Sequence, residues 1–330
     1  MDSIPHRDHT EAGGSRPAGQ DCAPWSIAIF ARNEMASLPR CLEALAAATA
    51  GAQAEVSLLL NGSTDGSEQA APRLMREARL RGSVWSIPHA DKSNAINQYL
   101  HRLRPEAGLH VFVDAYAAVK PDALRRLAAR LVAEPLAMAA AAVPSSGRSA
   151  AALRADMLEY PGLHGSLFAL RGSFVERLAA SGLRLPLGLY RGDGLLGSFV
   201  MHDLDSASSP WRPPHIAVEP EASWTLQSLR PWSPADIRRH LRRLVQQGRG
   251  RLESGAIRHT IYPGQGRCGG FGALPERADS MILDWLAAVP EARPRLARDP
   301  FAALALRRIR RAAPPETSAL EPRLVAAVPE

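Results

Sequence analysis

The chain has 330 residues, 46% of them hydrophobic and 22% charged, with 25 Gly and 27 Pro. These proportions exclude collagen-like, coiled-coil and wholesale disordered architectures, and leave one large globular domain or two ordinary ones. The net charge of +7 is uneven: residues 226–330 hold 18 basic and 10 acidic side chains against 22 and 23 in the rest, so the basic third suits nucleic acid, an anionic membrane or a phosphorylated ligand.

Residues 1–23 are polar and aperiodic and read as a disordered tail, without the basic and apolar regions of a secretory signal. Short β-rich runs then alternate with helical patterns. Strands are predicted at Ser26–Phe30, Val56–Leu60, Val84–Ile87 and His110–Val113. Helices are predicted at Leu38–Ala48, Glu68–Arg81, Ser93–Leu103 and Asp122–Ala133. Four such units predict a largely parallel, doubly wound α/β sheet whose ligands bind beyond the carboxyl ends of the strands.

Further strands are predicted at Ala137–Val143 and Gly165–Leu170, and beyond Leu226 only helices and loops. Ser233 as N-cap and Pro234 at N1 open a helix with Ile237, Leu241, Leu244 and Val245 on one face and Gly248 as its stop. Another helix starts after Asp299-Pro300 and joins Phe301–Leu306 to Arg307, Arg308, Arg310 and Arg311, a composition seen in helices lying on membranes. Packing of that helix on the catalytic domain is the competing reading. Residues 312–330, rich in Pro and Ala, read as frayed. The most apolar stretch, Leu131–Val143, is broken by Glu134 and Pro135, so no transmembrane segment is expected. Cys22, Cys41 and Cys268 stand in no metal-ligand or disulfide pattern, which fits a reducing, cytoplasmic setting.

Four segments fall where ligands bind. Ala31-Arg32-Asn33-Glu34 follows the first strand. Asn61-Gly62-Ser63-Thr64-Asp65-Gly66-Ser67 follows the second, with small, hydrogen-bonding residues that suit a base and ribose and equally suit an ordinary turn. Asp91-Lys92-Ser93-Asn94-Ala95-Ile96-Asn97 follows the third, where Lys92 beside free backbone amides can meet phosphate. Asp114-Ala115-Tyr116 ends the fourth. Only Lys92 and Lys120 are lysines among the 40 basic residues, which singles them out.

In this order and spacing, over about residues 25–200, the segments resemble the family 2 glycosyltransferases of GT-A fold, inverting enzymes that use nucleotide sugars. The resemblance implies a doubly wound mixed sheet over residues 24–225 and a basic helical region over 226–311. It implies a nucleotide-sugar site at Ala31, Asn33, Glu34, Asn61, Ser63, Asp65, Lys92, Asn97 and Asp114. Asp193, in Tyr190-Arg191-Gly192-Asp193-Gly194, takes the position of the general base. Arg171, Arg191, Arg238 and Arg242, with Arg239 and Arg243 beside the last two, are implied on the acceptor or diphosphate side.

The implied partners are a nucleoside-diphosphate sugar, UDP-linked by preference, and a glycan or lipid-linked acceptor. The expected location is the cytoplasm or the cytoplasmic membrane face, by peripheral association with anionic lipid. Nucleic acid is not expected, because no aromatic-interleaved basic stripe accompanies the charge. A divalent cation, Mn2+ or Mg2+, would bind Asp114, but the second Asp of the family's Asp-x-Asp is Tyr116, a poor ligand for a hard cation. His202, His215 and His259 are the histidines available to complete such a site. Two alternatives remain at this stage: a binder of nucleotide sugar or glycan without turnover, and a nucleotidyltransferase. The second prefers a Gly-rich phosphate loop after the first strand, which Ala31–Glu34 lacks.

Overall fold

A computed structural model describes residues 24–147, 149–226, 234–262, 269–292 and 298–329. The expected tail over 1–23, the Ser233 cap and Cys268 lie outside them. The chain runs β1 (Trp25–Ala31), α1 (Leu38–Thr49), β2 (Ala54–Asn61), α2 (Ser67–Glu77), β3 (Gly82–Ile87), α3 (Lys92–Gln98) and β4 (Leu109–Asp114). It continues β5 (Ala117–Val119), α4 (Ala123–Ala133), β6 (Ala139–Pro144), α5 (Ala150–Glu159), β7 (Leu167–Arg171), α6 (Gly172–Ser181), α7 (Gly192–Met201) and β8 (Ile216–Leu226). Helices α8 (Pro234–Ile261), α9 (Ala278–Ala288) and α10 (Pro300–Ile309) follow, and β9 (Arg323–Val328) ends the described chain.

Among the described residues the strands form one mixed sheet ordered β5-β8-β6-β7-β4-β1-β2-β3-β9. The parallel centre β4-β1-β2-β3 is the part that the sequence predicts. Every residue of β1 is buried, as a strand covered on both faces requires. Ile27 and Ile29 face the core shared with α1, α2 and α4, while Ala28 and Phe30 face the core shared with α3, α7 and α8. On that second face Phe30, Phe112 and Phe168 form a column across β1, β4 and β7, with ring centroids 6.0 and 4.6 Å apart.

Three features depart from the expected pattern. Strand β7 runs antiparallel to both β4 and β6. Strands β5 and β8, unforeseen in the sequence, extend the sheet beyond β6. Residues 323–328, expected to fray, pair antiparallel with β3 as β9 and close what would be an open edge. The approach to β9 is tied to α3: Asn94 Nδ2 and Gln98 Nε2 donate to the Leu320 carbonyl at 2.8 and 3.1 Å, and Arg102 pairs with Glu321.

The C-terminal helices pack on one another and on the second face of the sheet. Gly248 is no stop: α8 runs through it, and a Cβ there would lie 2.5 Å from the Phe301 carbonyl carbon, so glycine lets α10 approach. Asp299 caps α10 as predicted, accepting from the Phe301 and Ala302 amides at 3.0 and 3.1 Å. The apolar stripe Ala302, Ala305 and Ile309 is buried, and Arg307, Arg308, Arg310 and Arg311 are exposed. At the other end of α8, Val245 is buried but Ile237 and Leu241 are about half exposed. Among the described residues no helix is long and apolar enough to cross a membrane.

Under the sheet, His110 is 2% exposed and its Nδ1 lies 2.8 Å from Tyr99 Oη, which also bonds Ser26 Oγ at 2.7 Å. Burial first, then the charge of Arg104, pushes the His110 pKa down to about 4. The unfolded chain takes up that proton near 6.5, so stability is full above that pH and falls as pH drops from 6.5 to 4. The contribution of this one residue is on the order of 3 kcal/mol. Denaturant unfolding across this window should show a shallower pH slope for His110→Gln than for the native chain. Equal slopes would contradict this account.

Candidate active site

At the centre of the sheet the carboxyl ends of β1 and β4 open the crevice where ligands bind in such folds. Asp114, the last residue of β4, is 5% exposed. Its Oδ1 pairs with Lys92 Nζ, and its Oδ2 accepts from the Tyr116 hydroxyl at 2.6 Å. The Lys92 ammonium also donates to the Gly165 carbonyl at 3.3 Å and lies 5.8 Å from the centroid of the Phe30 ring. Burial first, then the Asp114 charge, raises the Tyr116 pKa, so Tyr116 meets Asp114 as a neutral donor.

Asp193 shares the space beside Gly165 with this pair. It sits in the first turn of α7, where the sequence suggests a turn between glycines, and its Oδ2 accepts from the Gly165 amide at 2.7 Å. A Cβ on Gly165 would lie 2.9 Å from Lys92 Nζ, 3.3 Å from Asp193 Oδ2 and 3.6 Å from Asp114 Oδ2, so three charged groups surround one small residue. His164, next in the chain, stacks on Trp224 at 5.1 Å. Burial lowers its pKa, with Asp193 and Asp114 opposing, so it stands there as a neutral ring.

Two buried carboxylates position these groups. Asp91 caps α3, its Oδ1 accepting from the Ser93 and Asn94 amides at 2.9 and 3.3 Å, while its Oδ2 accepts from Gly188 N at 2.7 Å. The α3 amides expected to be free for phosphate are therefore occupied. Glu253 of α8, fully buried, accepts from the backbone amides of Tyr190 and Arg191 at 2.9 and 3.0 Å, just ahead of α7. Arg249 pairs with Glu253 at 2.8 Å and with Asp279 of α9 at 2.7 Å. Burial raises the pKa of Glu253, with Arg249 the main opposing influence.

The remaining expected residues divide. Lys92, Asp114 and Asp193 come together, with the buried ends of β1 and β2, Ala31 and Asn61, at the same end of the sheet. Asn33, Ser63 and Asp65 lie beyond those ends but bond with neighbouring groups. Asn33 Oδ1 accepts from Thr64 N at 2.7 Å, Ser63 Oγ accepts from Asn33 N at 3.2 Å, and Asp65 Oδ2 accepts from Met35 N at 2.8 Å. Burial raises the Asp65 pKa, but hydrogen bonds from Ser67 and Met35 outweigh it and leave it lowered. Glu34 accepts from Ser37 Oγ at 2.5 Å.

Asn97 is a correction: both ends of its amide are held by the Leu185 backbone, at 2.8 and 2.9 Å. Arg171 is another. Because β7 is antiparallel, Arg171 pairs with Leu109 at the start of β4, at the opposite end of that strand from Asp114, and its guanidinium holds the Ala137 and Glu134 carbonyls. The Arg191 guanidinium bonds Ser254 Oγ at 3.3 Å. Arg238 and Arg242 are exposed on α8, and Arg243 is the α8 arginine whose charge acts on His164 and Tyr190.

His202 and His215 serve the far end of α7: His202 bonds the Ser209 carbonyl and Tyr262 Oη, and His215 bonds the Val200 carbonyl. A cavity of about 560 Å³ lined by His202, Trp211 and Tyr262 lies there, a helix length from Asp193 and apart from the carboxylates. Among the described residues no three His, Cys, Asp or Glu side chains gather as a metal-binding set.

The mixed α/β sheet, with paired charges at the carboxyl end of its central strands, has the GT-A architecture. Residues 26–173 match the model of glycosyl transferase family 2. No curated protein matches the sequence. Among solved structures, the mannosyltransferase PcManGT from Pyrobaculum calidifontis, in complex with GDP-Man and Mn2+, is 18% identical with a TM-score of 0.55, over 88% of this chain and 82% of that one. Glucosyl-3-phosphoglycerate synthase from Mycobacterium tuberculosis, with Mn2+, UDP-Glc and phosphoglyceric acid, is 16% identical with a TM-score of 0.49, over 70% and 78%. S. aureus TarS 1-349 is 15% identical with a TM-score of 0.47, over 87% and 91%. At these identities the likeness to PcManGT supports the fold alone.

The correction at Asn97 is open to measurement. Asn97→Ala strands the buried Leu185 amide and carbonyl and should cost about 1–3 kcal/mol in denaturant unfolding. Unchanged stability would contradict this placement of Asn97.

Proposed function

We propose that the protein moves a sugar with inversion from a nucleoside-diphosphate donor to a hydroxyl of a glycan or lipid-linked acceptor, with Asp193 as general base. The observation that carries this reading is the convergence of Asp193 with the Lys92–Asp114 pair beside Gly165. Inversion is one displacement, in which the acceptor oxygen forms its bond to the anomeric carbon as the bond to the diphosphate oxygen breaks. The acceptor proton passes to Asp193, and the bonding electron pair leaves with the nucleoside diphosphate. Asp193 Oδ2 is held by the Gly165 amide, which fixes the carboxylate and leaves Oδ1 for the hydroxyl.

UDP-sugars are the first donors to test, with GDP-sugars beside them. Asp193→Asn should keep nucleotide affinity and lower turnover by about 10²–10⁴-fold. Unchanged turnover removes Asp193 from the mechanism. Nucleotide-sugar binding with no transfer to any acceptor would favour the binding protein instead.

A lipid-linked acceptor of cell-envelope type, met at the cytoplasmic face of an anionic membrane, is favoured by the first turns of α8. Exposed Ile237 and Leu241 there alternate with exposed Arg238 and Arg242. Each basic residue at such a surface contributes about 1 kcal/mol, screened by salt. Sedimentation with anionic vesicles at low salt should bring down the native protein and much less of an Ile237→Ser, Leu241→Ser double variant. Equal sedimentation of the two removes this surface from the account.

A further inference from the structure

The family resemblance implies a divalent cation at Asp114, and the residues around it do not fit one. Magnesium requires near-octahedral oxygen coordination at about 2.0–2.1 Å, and sites of this kind use one or two carboxylates together with substrate phosphates. Here Asp114 Oδ1 is held by Lys92 Nζ and Oδ2 by a hydrogen bond that the Tyr116 hydroxyl donates. Tyr116 stands in place of the second carboxylate of the motif. Asp193 Oδ2, the nearest other carboxylate oxygen at Gly165, is engaged with the Gly165 amide, and His164 Nδ1 lies 3.3 Å from the Ser166 amide. The chain has put a fixed cation of its own beside Asp114.

We propose that the Lys92 ammonium supplies the positive charge that receives the donor diphosphate, so that donor binding needs no divalent metal. This inference rests on the nucleotide-sugar reading above. An ammonium has three donors. Two of them are accounted for, one on Asp114 and one on the Gly165 carbonyl, and the lysine side chain is 36% exposed, so the third is open to a phosphate oxygen. The Phe30 ring, 5.8 Å away, favours the cation at this spot. Asp91 fixes the start of α3 by capping it and by bonding Gly188, so the lysine's backbone does not drift. Tyr116 has a defined part in this arrangement: it satisfies the second oxygen of Asp114 without adding a negative charge that would hold a metal or repel the diphosphate.

Calorimetric titration of the full chain with UDP and with GDP, in EDTA and then in Mn2+, tests the inference on the native protein. One nucleotide should bind in EDTA, and Mn2+ should not tighten it. Lys92→Met should weaken that binding by about 10-fold or more in EDTA, the worth of a hydrogen bond from a charged group. A Lys92→Met, Tyr116→Asp double variant, which rebuilds the paired carboxylates, should take up Mn2+ in the presence of nucleotide, read as loss of the free-ion signal in electron paramagnetic resonance. The native chain should leave that signal where the nucleotide alone sets it. Nucleotide binding by the native chain only when Mn2+ is present, or equal affinity in Lys92→Met, overturns the inference and leaves the transferase reading in place. No binding of either nucleotide, with or without metal, overturns both.

Discussion

A carboxylate buried at the end of a central strand must be neutralised where it stands, and the arrangement of this protein's site follows from how Asp114 meets that demand. A buried charge left unpaired costs about 3–5 kcal/mol, a large fraction of a domain's stability. Lys92 and Tyr116 satisfy one oxygen each. Lys92 can do so because Asp91 caps α3, and the Gly165 loop can come close because residue 165 has no side chain. Asp193 is then set by the same loop, through the Gly165 amide.

The same logic links the C-terminal helices to the sheet. Glu253 is buried on α8, and its partners are the two amides that precede α7 together with Arg249. Arg249 in turn reaches Asp279 on α9. The helical region is thus coupled to Asp193 through charge as well as through apolar packing. Its basic surplus lies largely outside this network, on the exposed arginines of α8 and α10. Strand β9 adds a second tie on the far side of the sheet, where the Leu320 carbonyl accepts from α3.

Much of this was legible in the residues. The parallel core is readable because β1, β2 and β4 are apolar runs flanked by polar loops, and Lys92 and Asp114 stand out as charges at strand and helix boundaries, while Asp193 is reached only through the family resemblance. Strand β8 was hidden because Pro220 and its neighbouring glutamates break the apolar pattern, and β9 because Pro and Ala around it resemble a tail. The direction of β7 is set by partners distant in sequence, which no local period records, and Arg171 was misplaced for that reason. Glu253 among arginines on a helix looks like a solvated face. Its role appears only when α8 lies against the Tyr190 turn. Tyr116 was read as a missing ligand, whereas the fold gives its hydroxyl a partner.

The central claim is that the charge at the donor's diphosphate comes from the protein. A crystal structure grown with the bound nucleoside diphosphate and Mn2+ together, with diffraction collected at a wavelength that reveals manganese, tests it most directly. The account predicts Lys92 Nζ within hydrogen-bond distance of a phosphate oxygen and no manganese peak beside Asp114. A manganese ion coordinated by Asp114, with Lys92 displaced from the carboxylate, would contradict it.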